Sequence, residues 1–200
     1  MTHYYAVIDF ECTCWNDKRA RKWKHEIIEF PVVFMNSKTL EVDYEFRRYV
    51  LPTENSCLSD FCTDLTGISQ DDLRYSNSLK YVIKEFEEFL EENDITDFTV
   101  CTDGPWDLMR FLAPETRRKQ IPYPDWAIQY LDVRNQFARS FRFRNMQGMN
   151  VERMLSMVGL DFQGRPHSGL DDARNIARLL RKIVLKDRVV IQPNRYIAFG

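Results

Sequence analysis

YYAVIDFEC, residues 4–12, decides the fold. β-branched and aromatic residues dominate it, and the run reads as a central strand buried on both faces. Asp9 and Glu11 interrupt that pattern. Residues two apart on a strand share a face, so two carboxylates stand side by side in an otherwise apolar element. They repel unless a cation neutralises them or the strand end reaches water. Taken alone, the D-x-E pattern leaves both readings open.

Working outward, EIIEFPVVFMN (26–36) reads as a second strand in which Pro31 demotes part of the run or marks a bulge. EVDYEFRRYVL (41–51) reads as a third, with Val42, Tyr44, Phe46, Arg48 and Val50 alternating against Asp43, Glu45, Arg47 and Tyr49. Asn36-Ser37-Lys38 makes the tight connection of an antiparallel meander. Residues 77–92 carry Leu79, Val82, Ile83, Phe86, Phe89 and Leu90 at helical spacing, with glutamates mostly outward. FTVCT (98–102) is a short buried strand, and Pro105 suits the first position of a helix after it. Residues 126–133 are ambiguous, with a last strand ending at Asp132 or Val133 as one reading. Helices follow over 149–158, ended by Gly159, and over about 169–186. The expected class is α/β: a mixed five-stranded sheet flanked by helices, whose element order resembles a ribonuclease-H-like fold.

The chain has 200 residues, 44% hydrophobic and 29% charged. That composition fits a single domain spanning 1–200 with its core at about 4–190. A net charge of −2 argues against tight nonspecific grip on long duplexes, though not against an enzyme holding a strand end. No run reaches membrane-span length, and the N-terminus lacks the pattern of a secretory signal. The expected setting is intracellular, cytoplasmic or nuclear, with five reduced cysteines rather than a disulfide framework. Two basic clusters contain aromatics: Lys18, Arg19, Arg21, Lys22 and Lys24 around Trp23, and Arg134, Arg139, Arg142 and Arg144 among Phe137, Phe141 and Phe143. Each reads equally as a phosphate-and-base surface or as a solvated loop and an amphipathic helix.

Two more carboxylates join the first pair. Asp107 lies in TDGPWD, just inside a helix that follows a buried strand, where ligands of open α/β sheets gather. Asp103 competes as a turn residue, and Asp107 itself also suits a helix N-terminus. In RPHSGLDDARNIARLL (165–180), Ser168 reads as an N-cap with Asp171 completing a capping box. Asp172 is in phase with Ile176, Leu179 and Ile183, the buried stripe. Asp171 is in phase with Asn175, Arg178 and Lys182, the wet face. His167, in the loop feeding this helix, is an ordinary loop histidine or, beside these acids, a general base. Two Mg²⁺ ions ~3.5–4 Å apart could share Asp9 and stabilise both the attacking and the leaving oxygen of a phosphodiester.

VIDFECTCW, HEIIEFPVV, LSDFC-x-x-LTGI, TDGPWD and GRPHSGLDDARNIA, in that order, resemble the DEDDh exonuclease superfamily. More closely they resemble its enhanced-RNAi (Eri-type) 3′→5′ exonucleases, a family that includes histone-mRNA 3′ exonucleases and Snipper. The resemblance covers about residues 4–190. It implies Asp9, Glu11, Asp107 and Asp172 as metal ligands, Mg²⁺ as cofactor with Mn²⁺ able to substitute, and His167 as general base, with Glu11 also catalytic. It implies that Glu11, the backbone at Phe10 and Cys12, and Leu65, Thr66, Gly67 and Ile68 hold the terminal nucleotide, with Trp106 bordering it. The partner implied is RNA or DNA with a free 3′ end, cut to nucleoside 5′-monophosphates. Cys12 departs from the usual small residue after the glutamate, at little expected cost. The N-terminal RNA-binding domain and C-terminal zinc module of some members are not expected here, so histone-mRNA specificity is not implied. The alternatives are a mainly DNA-degrading enzyme or a catalytically silent binding module.

Overall fold

The computed structural model describes residues 2–16 and 24–197. Its strands are β1 (Tyr4–Ile8), β2 (Glu11–Cys12), β3 (Ile27–Asn36), β4 (Val42–Tyr49), β5 (Phe98–Thr102), β6 (Gln129–Asp132) and β7 (Arg195–Tyr196). The expected run 4–12 divides into β1 and β2, β3, β4 and β5 fall in the other expected runs, the ambiguous run 126–133 holds β6, and β7 is an addition of two residues. The sheet is mixed: β3 pairs antiparallel with β1 and β4, while β5 pairs parallel with β1 and β6. The helices are α1 (Asp60–Thr66), α2 (Gln70–Leu73), α3 (Leu79–Glu92), α4 (Ala113–Arg118), α5 (Val133–Ser140), α6 (Val151–Met157) and α7 (Gly169–Asp187), with a π-helical segment, Trp106–Leu112, running directly into α4.

Strand alternation sorts the core into two layers. Ala6 and Ile8 join Phe30, Phe34, Phe46 and Phe86 beneath α3, whereas Tyr5 and Val7 join Leu131, Ile176, Leu179 and Ile183 beneath α7. Asp9 and Glu11 continue the period of Tyr5 and Val7, which aims them at the α7 side.

The first strand is not continuous. Its ladder with β3 runs to Ile8↔Val32 and resumes at Glu11↔Glu29, so Asp9 and Phe10 stand opposite Phe30 and Pro31. Pro31 has no N–H to donate, and the ladder lapses beside it. Pro31 neither demotes β3 nor makes a bulge: it is buried within the strand, and the register shifts fall at Phe34/Met35 against β4 and opposite Glu11/Cys12 against β2. The alternation expected of β4 holds weakly, because this edge strand buries only Phe46 among Val42–Tyr49.

The second basic cluster, open between two readings, follows the amphipathic-helix one. Phe137 stacks on Phe141 and Phe143 at 4.7 and 5.5 Å; Phe137 is buried in the layer under α7, and the other two rings, partly buried, pack against it. Arg134, from the same cluster, pairs inward with Asp103 at 2.5 Å. The cluster at 18–23 lies outside the described residues. The cysteines among the described residues are free.

Candidate active site

Asp9 sits just past β1, Glu11 in β2, Asp107 in the π-helical segment and Asp172 in the first turn of α7. One carboxylate oxygen from each of Asp9, Glu11 and Asp172 lies within 4.8 Å of the others. Asp107 is apart from that triplet but tied to it: its Oδ1 accepts the Phe10 N–H at 2.7 Å, across the lapse in the ladder. The lapse thus turns the backbone between the two strand acids toward the third element of the site.

The electrostatics are those of an anion cluster awaiting positive charge. Burial pushes the Asp9 carboxyl well up, and Asp107, Asp172, Glu11 and Asp103 push it further. Burial, then Asp172 and Glu29, raise Glu11 to about 9. Asp107 and Asp172 are each raised to about 7, again by burial first, against the lowering effect of the N–H groups of Phe10 and His167. Four clustered carboxylates offer the oxygen donors that a hard divalent ion prefers.

His167 is exposed, with φ +63°, and its backbone N–H donates to Asp172 Oδ2 at 2.7 Å. Asp172 therefore faces the cluster and fixes the histidine loop together. The expected capping box is absent. Ser168 makes no side-chain cap, and Asp171 instead accepts the Arg165 N–H at 3.0 Å and pairs with Arg174. Asn175 is not on a wet face: it is fully buried, bonding both the N–H and the carbonyl of Gln163.

The residues expected to hold a nucleotide divide. The side chains of Phe10 and Cys12 are buried, and the Phe10 amide is taken by Asp107. Thr66 is buried, its hydroxyl donating to the Cys62 carbonyl and accepting the Ile68 N–H. Ile68 is buried with Ile28, Cys62 and Leu73. Leu65 is half-buried and Gly67 exposed, at φ +75° where α1 ends. The Arg165 guanidinium lies over Gly67 and donates to the Asp64 carbonyl at 2.7 Å. Trp106 is 57% exposed, with Arg110 over its ring.

Glu29 and Gly169 escaped the sequence reading, and Asp103, read there as a turn residue, has a further part. Asp103 adds charge to the cluster while pairing with Arg134, and its Oδ1 is buried without a hydrogen-bond partner. Glu29 is fully buried, its carboxylate accepting Arg47 Nε at 2.7 Å and the Gly169 N–H at 3.0 Å. An acid inside an apolar strand was the available signal for Glu29, the same anomaly as Asp9. Gly169 allows α7 to start directly on the lapse: a Cβ there would lie 2.5 Å from the Asp9 carbonyl oxygen. Gly169→Ala is therefore expected to cost roughly 1–3 kcal/mol through overpacking and to lower activity by displacing Asp9 from Asp172. A variant with unchanged melting and unchanged rate would show that this contact does not set the spacing.

A family profile described as Exonuclease matches residues 6–180. The mouse (Mus musculus) protein 3'-5' exoribonuclease 1 is 38% identical over 200 residues, spanning 98% of this chain and 57% of that protein. The Drosophila melanogaster 3'-5' exonuclease Snipper is 36% identical, spanning 90% of this chain and 69% of its own length. The chain thus spans little more than half of the mouse relative. Among solved structures, the nuclease domain of 3'hExo, a DEDDh family member bound to rAMP, superposes with a TM-score of 0.90 at 34% identity, covering 97% of both chains.

Proposed function

The chain belongs to the exonuclease family, and on that premise we propose that it is a 3′→5′ exonuclease domain releasing nucleoside 5′-monophosphates from single-stranded RNA or DNA ends. The observation that carries this reading is the convergence of Asp9, Glu11 and Asp172 within 4.8 Å beside buried Asp107. The DEDDh fold of the relatives implies dependence on a divalent metal, and Asp9, Glu11, Asp107 and Asp172 are the residues that would hold it. Bound there, two Mg²⁺ ions, or Mn²⁺ in their place, would offset charge on the attacking and leaving oxygens of the phosphodiester.

The chain's own residues do the rest. His167 takes the proton of the attacking water as the new O–P bond forms and the bond to the upstream 3′-oxygen breaks. Asp172 steadies the histidine loop through the His167 amide. Glu11, Leu65 and Gly67 hold the terminal nucleotide, with Trp106 at its border. Thr66 and Ile68 act from behind as the packed support of that segment. The relatives' names favour RNA as substrate. No helix among the described residues is long and apolar enough to cross a membrane.

The test compares 5′-labelled single-stranded RNA, single-stranded DNA and duplexes with 3′ overhangs, in Mg²⁺, Mn²⁺ or EDTA. Expected are one-nucleotide ladders in either metal and none in EDTA. His167→Ala should lower the rate ~10²–10⁴-fold, the usual contribution of a general base. Internal cuts, or cleavage that survives EDTA, would reject the reading.

A further inference from the structure

The site as described has a deficit. A nucleic-acid strand is a polyanion, and the chain offers its 3′ end a cluster of carboxylates within a protein of net charge −2. Grip on the strand must come from positive and apolar surface next to that cluster.

Such a surface leads away from Asp107 along its own helix. Trp106 is 57% exposed and Met109 48% exposed. The Arg110 guanidinium lies 5.4 Å from the centre of the Trp106 ring. The π-helical segment then passes into α4, where Ala113 and Arg117, four residues apart, share a face. There a groove of about 470 Å³ opens, lined by Met109, Ala113, Arg117, Ile121, Tyr123 and Ile197 among others. Its lining is mainly apolar and includes Arg117 and Arg118. Arg110 and Arg117 are exposed, and neither forms an ion pair among the described residues.

We propose that the face from Trp106 through Arg110 and Met109 to the Arg117 groove is a track for the single strand upstream of the nucleotide being removed. Bases lie on the apolar lining, and successive phosphates meet Arg110 and Arg117, the combination that suits unpaired strands. A duplex hides its base faces and would not use the lining. The occupant is argued from charge complementarity and from continuity with the site, because Trp106 adjoins Asp107 in the same helix. The inference rests on the exonuclease reading but makes a separate claim, that affinity grows with strand length through these two arginines.

The test measures equilibrium binding of a dye-labelled RNA dinucleotide and octanucleotide to the intact chain in EDTA, so that binding is read apart from cleavage. For the parent, the octanucleotide should bind about tenfold more tightly or better, as one additional stacked base alone can provide. The double variant Arg110→Ala/Arg117→Ala should lose most of that ratio. Its slope of log K against log salt should fall by about 1.4, at ~0.7 for each single-strand phosphate contact. Arg110→Lys/Arg117→Lys should keep the slope, which separates lost charge from disturbed folding. A parent whose affinity ignores length, or an alanine variant matching it in ratio and slope, would overturn the track. Cleavage of the octanucleotide by the parent in Mg²⁺ reports separately on the exonuclease reading, so either claim can fail alone.

Discussion

Asp9→Asn is expected to lower hydrolysis by about 10³-fold or more while leaving a folded protein. Loss of an outer partner of a metal ligand typically costs ~10–100-fold, and Asp9 stands closer to the chemistry than any such partner. It lies in the carboxylate triplet, and Asp107, Asp172, Glu11 and Asp103 all bear on its charge. Asn keeps the shape and one carbonyl oxygen but removes the charge that would draw the cation in. The substitution also relieves repulsion, so in EDTA the variant should melt at a higher temperature than the parent. In excess Mg²⁺ the order should reverse. A ligand at ~100 times its dissociation constant adds about 2.7 kcal/mol, which at ~2–4 °C per kcal/mol for a chain of this size is roughly 5–10 °C. Asp172→Asn should show the same loss of rate. Full activity in either variant, or equal stabilisation of parent and Asp9→Asn by Mg²⁺, would remove the acids from their assigned role.

Those two residues also show what a sequence can carry. Strand phase paired Asp9 with Glu11 and helix phase separated Asp172 from Asp171, because both questions concern direction along one element. The structure places all three as phase required. Direction alone misplaced Asn175, since phase does not say which loop folds over a helix face, and Gln163 covers this one. Asp171 illustrates the same limit: the spacing fits a capping box, but the Arg165 amide is a tertiary competitor invisible from the helix. The lapse of the ladder at Asp9–Phe10 depends on Pro31 in the neighbouring strand, and it decides which backbone amide Asp107 receives. Gly169 and Glu29 belong to the same category, as residues whose purpose exists only once α7 meets β3.

The largest effect on stability should appear as a dependence on pH in the absence of metal. Asp and Glu in an unfolded chain titrate near ~3.9 and ~4.3. In the fold Asp107 and Asp172 are raised to about 7 and Glu11 to about 9, with Asp9 raised as well. The folded state therefore holds protons that the unfolded state has released. Stability from these groups is fully present below about pH 4 and is lost as pH rises through 7 and on toward 9. Glu26 acts in the opposite sense, because burial, which raises its carboxyl, is outweighed by Lys119 and the backbone amides of 53–55, but its gain is complete before this window opens. In EDTA the melting temperature should fall steadily between about pH 5 and 9, the interval set by those shifts. Saturating Mg²⁺ should flatten the curve by supplying in place of protons the charge the cluster lacks, and Asp9→Asn should flatten it without metal. A melting temperature in EDTA that is level or rising across that window would mean that the four acids do not strain the fold, and the electrostatic case for a cation among them would fall with it.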